Sequence, residues 1–479
     1  MTRSSSTNPH TAAGPTARKP AATRKVAAPR KQAARVPAAR KQGARKQVAR
    51  VPAARKQLPR KPLTRTPSPL TSRNRLTTIE RSRARRRLSR RNRRLPRPQV
   101  PTVFWVIVAT VGLLCLIGLI MVLSASSVTS TRQHGTALYY FERQAQWLVV
   151  GLVAMFIASR IDYHRLARLG PMLMTGTVVA LVLVLFPSPI TNSAKGSSRW
   201  FDINGVNFQP SELAKLAVIL WISTLLHQRR REMADWKRTI LPVGVGLAVL
   251  GALILAEPDL GTGIMLSVIS GVMLVVAGAR LDVMAGVGGL GGSILFAISR
   301  LGYHKARWDS LDPWKDKMGS GWQSLQSQVG VASGGLLGVG PGASKAKWGF
   351  LPEAHTDFIF AIIGEELGLL GCLSVIGAFA VLLASGIRVS RSAPDKLGSL
   401  LAIGIATWIG VQAFVNIGVA LGVLPNKGVT LPFMSYGGSS LLVTLFTVGV
   451  LLNIARQSTD PRVRSKQSSP RPSGARLAN

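Results

Sequence analysis

Asp357 and His355 stand at the mouth of an apolar run, LPEAHTDFIFAIIGEELGLLG (351–371), in which two adjacent acids, Glu365 and Glu366, follow. An ionised carboxylate beside hydrocarbon costs several kcal/mol and is seldom kept without a use. At the rim of such a run, a carboxylate can take the proton of an attacking hydroxyl if burial lifts its pKa toward 7. The same position can instead favour the helix that follows. After Pro352, Thr356 is a candidate N-cap and Asp357 a charge that suits the helix dipole. His355 is a second proton acceptor, or an exposed histidine at an interface. Eight residues past Asp357, Glu365 lies ~12 Å further along a helix. Glu365 and Glu366 therefore need protein or water partners.

Three further stretches hold polar groups against apolar runs. In GSSRWFDINGVNFQPSELAKLAVILW (196–221), Pro210 and Ser211 read as a helix start with Glu212 in the first turn. Lys215 follows at i+3, within pairing reach. The two either form an ion pair lining a polar cavity, or act separately as a capping charge and a lysine snorkelling outward. AEPDLGTGIM (256–265) places Glu257 and Asp259 in a short turn that needs no function. GVLPNKGVTLPFMSYGGSSLL (422–442), which contains Ser439, is punctuated by Pro and Gly as it returns to an apolar segment. Irregular backbone at membrane depth must be buried in protein or line a cavity, so this stretch reads as part of a site.

The elements that position these residues are membrane spans. Segments 103–125, 143–159, 167–186, 211–227, 239–256, 260–279, 282–299, 356–386, 399–422 and 438–455 are each apolar enough to read as a span of ~20 residues. The intervening loops 159–168, 227–238 and 388–396, with the end 456–466, are basic and belong on the cytoplasmic side. The predicted fold is thus an all-α integral membrane protein of ten transmembrane helices with both termini cytoplasmic. A large extracytoplasmic loop, 300–352, separates spans seven and eight, and Asp357 falls at the outer boundary. Cys115 and Cys372 lie in apolar runs and suggest buried thiols rather than a disulfide framework.

The chain divides by charge. Of 61 Lys and Arg and 19 acids, residues 1–100 hold 30 and one, a net of +29, which leaves +13 for the remainder. Repeats such as RVPAARKQ (35–42 and 50–57) lack apolar periodicity, so 1–100 is expected to be a disordered cytoplasmic tail. Its RSRARRRLSRRNRRLPR end (81–97) directly precedes the first span, which favours anionic lipid headgroups over nucleic acid as partner. No apolar stretch follows the first charges as a signal peptide would require. The membrane domain is expected over 101–456 and a cytoplasmic C-terminal tail over 457–479. GVGGLG (286–291) has glycine-loop spacing but sits inside an apolar run, and GGLLGVGPGAS (334–344) lacks a Gly-Lys-Ser/Thr ending.

Taken together, GSSRWFDINGVNFQPSELAKL, EPDLGTG, LPEAHTDFIFAIIGEELGLLG and LPNKGVTLPFMSYGGSS resemble, in order, the signature segments of the SEDS family (shape, elongation, division and sporulation). Residues 310–342 are similar to its large outer loop, and the resemblance covers about 103–456. LPEAHTDFIF and LPNKGVTLP are closer to the division branch than to the elongation branch, with sporulation members the nearer rival. The resemblance implies a peptidoglycan glycosyltransferase of the bacterial cytoplasmic membrane that polymerises lipid II at the division septum. It implies a class B penicillin-binding protein of the FtsI type and other division proteins as partners. By the same resemblance Asp357 is the essential aspartate, and Glu212 with Lys215 the cavity-lining pair. Arg199, Lys345, Lys347, His355 and Ser439 are added as candidates for substrate contact. No cofactor is required by the sequence and no metal-ligand cluster is visible, although a divalent cation (Mg or Mn) would suit a pyrophosphate leaving group. Glu257 departs from the family pattern, where Gln commonly precedes Pro-Asp. Transport of the same lipid across the bilayer, and scaffolding of division proteins, are the alternative functions.

Overall fold

The computed structural model describes residues 100–459 except 187–190, 195–196, 204–205, 300–307, 309–310, 315, 317, 320 and 427. The expected tails therefore lie almost wholly outside the described residues. Each predicted apolar segment coincides with a long helix: α1 (Thr102–His134), α2 (Tyr139–Arg160), α4 (Gly170–Leu185), α5 (Pro210–Gln228), α6 (Trp236–Ala256), α7 (Leu260–Ala277), α8 (Leu281–Ser299), α10 (Ile359–Ser392), α11 (Lys396–Ala420) and α12 (Gly438–Ser458). Among the described residues there are also two shorter α-helices, α3 (Tyr163–Arg168) and α9 (Trp322–Ser333). Among the described residues, six helices (α1, α6, α7, α10, α11 and α12) are long and apolar enough to cross a membrane, and α4 and α8 carry shorter apolar stretches. The GVGGLG motif lies within α8 and forms no nucleotide loop.

Local chemistry sets the helix ends. Pro210 opens α5, where its missing N–H leaves nothing unsatisfied. Asp162, Asp235, Asp259 and Asp395 cap α3, α6, α7 and α11 by accepting from backbone N–H groups two or three residues on. Gly135 and Gly278 close α1 and α7 in left-handed conformations.

Helices α5, α10, α11 and α12 form the centre. α2 lies along α12, α10 packs on α1 and α11, and α5 packs on α4, α7 and α11. Apolar side chains also cover the outward faces: Trp105, Leu116, Val149, Phe156 and Met172 are exposed, as contact with lipid tails requires. At the end of the bundle that carries α3, His164 bridges two helix caps, with Nδ1 2.8 Å from Asp162 and Nε2 2.7 Å from Asp395. Those carboxylates push its pKa up to about 9, against the opposing effect of burial.

The opposite end is rich in loops, and two features there depart from the sequence reading. The segment 191–208 carries a small antiparallel sheet, β1 (Thr191–Ala194), β2 (Ser197–Ile203) and β3 (Val206–Phe208), so the fold is helical with one strand-bearing loop. Phe201 pairs with both Thr191 and Phe208. The Asn-Gly pair at 204–205, between β2 and β3, is the hairpin signal. The loop 300–352 also holds a helix, α9, packed on α10.

Helix α10 breaks in its first half. Gly368 adopts φ 66° and ψ −163°, a conformation open only to glycine. The freed backbone groups pair with the glycine-rich loop 334–344. Val339 and Gly340 N–H donate to the carbonyls of Glu365 and Glu366, while Leu369 and Leu370 N–H donate to those of Gly335 and Leu336. That loop thus completes a broken helix, which is how irregular backbone is accommodated away from water.

Candidate active site

Asp357 lies in the turn before α10, half-buried. Its backbone N–H donates to Glu353 O at 3.1 Å, and its carbonyl accepts from Asn416 Nδ2 of α11 at 2.7 Å. The same Asn416 nitrogen donates to Val429 O, also at 2.7 Å, so one amide joins the turn to the loop 421–437. Gly428 in that loop lies against the carboxylate: a Cβ there would stand 3.1 Å from Asp357 Oδ2, tighter than ordinary contact. The helix begins at Ile359 with Phe358 in the cap position, so Thr356 is not the N-cap. Its hydroxyl donates instead to Glu353. Asp357 thus precedes the helix rather than sitting in its first turn.

His355 packs between aromatic rings, its centroid 4.7 Å from Tyr140 and 5.7 Å from Tyr436. Burial pushes its pKa below the ordinary value, with a smaller opposing pull from Glu353. Its carbonyl accepts from Tyr436 N–H, tying the Asp357 turn to the end of the loop.

Glu212 and Lys215 form an ion pair, Nζ to Oε1 2.8 Å. Lys215 is fully buried and does not snorkel outward. Its ammonium also donates to Gln412 Oε1 at 2.9 Å and stands 5.1 Å from the Trp408 ring centroid. Trp408 Nε1 donates to the same Gln412 oxygen, and Gln412 Nε2 donates to Thr430 O at 2.9 Å. A hydrogen-bonded chain therefore runs from the ion pair to the residue next to Val429. Around it, Glu212 Oε2, Ser211 Oγ, Ser439 Oγ and Thr444 Oγ1 are buried with no hydrogen-bond partner among the described residues. Ser439 thus lies inside the protein, in the first turn of α12.

The candidate cations occupy different settings. Arg199, on β2, donates from Nη2 to Pro258 O at 3.1 Å. Lys345 is exposed. Lys347 is buried, 3.5 Å from Glu366 Oε1, and donates to Ser124 Oγ and Gly342 O. That ammonium holds the loop to α10 and is not presented at a surface. Glu365 accepts from Ser344 Oγ, Lys345 N–H and Ala346 N–H. Glu366 accepts from Ser124 Oγ at 2.6 Å, Gly342 N–H at 2.9 Å and Ser344 N–H. The deeper acids thus have protein partners. Among the described residues no three His, Cys, Asp or Glu side chains converge to cage a metal.

Sequence reading missed the amides Gln144, Gln412 and Asn416. Gln412 and Asn416 are four apart on α11, hence on one face, in an otherwise apolar stretch. Gln144 on α2 donates to Ser435 O and accepts from Gly437 N–H, stitching the returning loop. A buried amide in an apolar helix was the available signal.

The class is defined by a helical membrane protein with a half-buried carboxylate at its loop-rich end, whose turn is held by one side-chain amide to the same loop that a second amide joins to a buried ion pair. The cell cycle protein family of FtsW, RodA and SpoVE matches residues 104–460, and the chain belongs to that family. It is 41% identical over 352 residues to the probable peptidoglycan glycosyltransferase FtsW of Geobacter metallireducens, covering 73% of this chain and 93% of that protein. It is also 41% identical over 349 residues to stage V sporulation protein E of Bacillus subtilis, covering 72% and 95%. Among solved structures, a chain of a peptidoglycan synthase complex that coordinates polymerization and crosslinking aligns with TM-score 0.61 and 29% identity, covering 74% of this chain and 98% of that one. The rod shape determining protein RodA of Thermus thermophilus aligns with TM-score 0.56 and 28% identity, covering 74% and 97%.

Proposed function

We propose that the chain is a peptidoglycan glycosyltransferase that polymerises lipid II at the outer face of the bacterial cytoplasmic membrane during septal wall synthesis. It works beside a class B penicillin-binding protein. The names of its relatives and the likeness to a synthase complex support the reaction over the flippase and scaffold alternatives. The basic loops at the α3 end support ten spans with both termini cytoplasmic and the loop-rich end outside.

One observation carries the site: the half-buried Asp357 carboxylate against Gly428, between the α10 turn and the returning loop. The acceptor sugar's 4-hydroxyl gives its proton to Asp357 as its oxygen forms a bond to the donor's anomeric carbon. The anomeric carbon–oxygen bond to pyrophosphate breaks on the opposite side, so the centre inverts and lipid pyrophosphate departs. Arg199 and Lys345 supply positive charge where that group develops its own. Glu212 and Lys215 keep the shape and field of the adjoining cavity. The basic tail binds anionic headgroups of the inner leaflet.

The test is full-length protein reconstituted with labelled lipid II and its penicillin-binding partner. Wild type is expected to give glycan ladders and Asp357→Asn a loss of at least ~100-fold, the scale of general-base catalysis. Near-wild-type ladders from a folded Asp357→Asn would remove Asp357 from the mechanism. Headgroup translocation without ladders would replace polymerisation by transport.

A further inference from the structure

Asn416 sits 1% exposed in the middle of α11. Both hydrogens of its side-chain amide are spent on main-chain carbonyls that belong to different segments, Asp357 O and Val429 O, each at 2.7 Å. Neither carbonyl belongs to a continuous helix, so each needs a donor from elsewhere. The two segments meet at the catalytic candidate, because Gly428, next to Val429, lies against the Asp357 carboxylate. One turn away on the same face, Gln412 holds the next carbonyl, that of Thr430, and receives Lys215.

We propose that Asn416 is a positioning residue for the transfer reaction. It clamps the Asp357 turn to the 428–430 loop, so that the direction of the carboxylate is set by α11. The inference rests on the glycosyltransferase reading for its kinetic consequence, but the clamp is a statement about this chain alone. Only a two-hydrogen donor fits between two carbonyls. The acid of the same shape puts oxygen against oxygen, and regains one donor when protonated. Displacing a reacting group by about an ångström costs on the order of 100-fold in rate without loss of substrate binding.

Two measurements on the full-length protein test this. In the lipid II assay, Asn416→Asp is expected to lower kcat ~100-fold near pH 7.5 with KM within about twofold, the signature of misplacement rather than lost binding. Its activity relative to wild type should then recover several-fold as the pH falls toward 6, whereas Asn416→Ala should be slow with no such recovery. Folded Asn416→Ala with kcat within twofold of wild type, or an Asn416→Asp defect independent of pH, overturns the proposal. The second measurement needs no activity: amide hydrogen exchange of segments 355–360 and 428–432 in Asn416→Ser. Both should exchange at least tenfold faster together; acceleration of one alone, or of neither, overturns the clamp. Wild-type protein that makes no glycan while both segments respond would fault the function and leave the clamp standing.

Discussion

Two pairs of buried acids are treated in opposite ways. All four oxygens of Glu365 and Glu366 accept hydrogen bonds from the 342–346 segment or from Ser124, with Lys347 beside Glu366. Glu212 uses one oxygen on Lys215 and leaves the other without a partner among the described residues, and Glu257 leaves both. Burying an acid without full hydrogen bonding carries a penalty, which the first pair avoids and the second does not. The first pair lies where a broken helix must be completed. The second lies in the first turn of α5, beside Lys215, and in the 257–259 turn.

The largest effect tests the saturated pair. Glu366→Ala strands Ser124, two backbone N–H groups and Lys347. Each neutral donor left buried costs about 1–3 kcal/mol and the orphaned ammonium about 3–5. The expected result is loss of monodisperse folded protein in detergent. A stable, active Glu366→Ala would erase the contrast between the two pairs. Next comes Lys215→Met, which leaves Glu212 buried without a cation. Activity should fall at least tenfold and Tm should drop. Glu212→Gln added to Lys215→Met should restore Tm but not turnover, if the pair supplies field as well as fold. Recovery of both together would make this pair scaffolding too.

The smallest effect sharpens the comparison through pH. Burial, with Asp259 adding to it and Arg199 opposing, pushes the Glu257 pKa up from 4.5 to about 8. The folded state therefore holds a proton that the unfolded state releases across this window, and stability falls as pH rises from 4.5 to about 8. Glu257→Gln removes the titration. It should stabilise the protein by on the order of a few kcal/mol near pH 8, with the gain vanishing toward acid, as thermal unfolding across pH would show. A pH-independent difference would mean that Glu257 has a partner after all.

The amino-acid sequence alone determined where the long helices run, because uninterrupted apolar composition leaves the backbone no other way to satisfy itself in lipid. It also marked the polar residues worth explaining, since acids are conspicuous in such runs, and it bore the family's motifs in order. The Asn-Gly hairpin was equally local and could have been read.

Only the tertiary structure decided what each polar group does. Glu212 and Lys215 are neighbours on one helix in either reading, but Gln412 from α11 and the closed packing around them turn the lysine inward. Lys345 and Lys347 look alike in the chain, yet one is exposed and the other buried on Glu366. Asn416 meets Asp357 across 59 residues. Hydrogen-bond partners so far apart are chosen by how helices pack, and no local pattern of residue types encodes that choice.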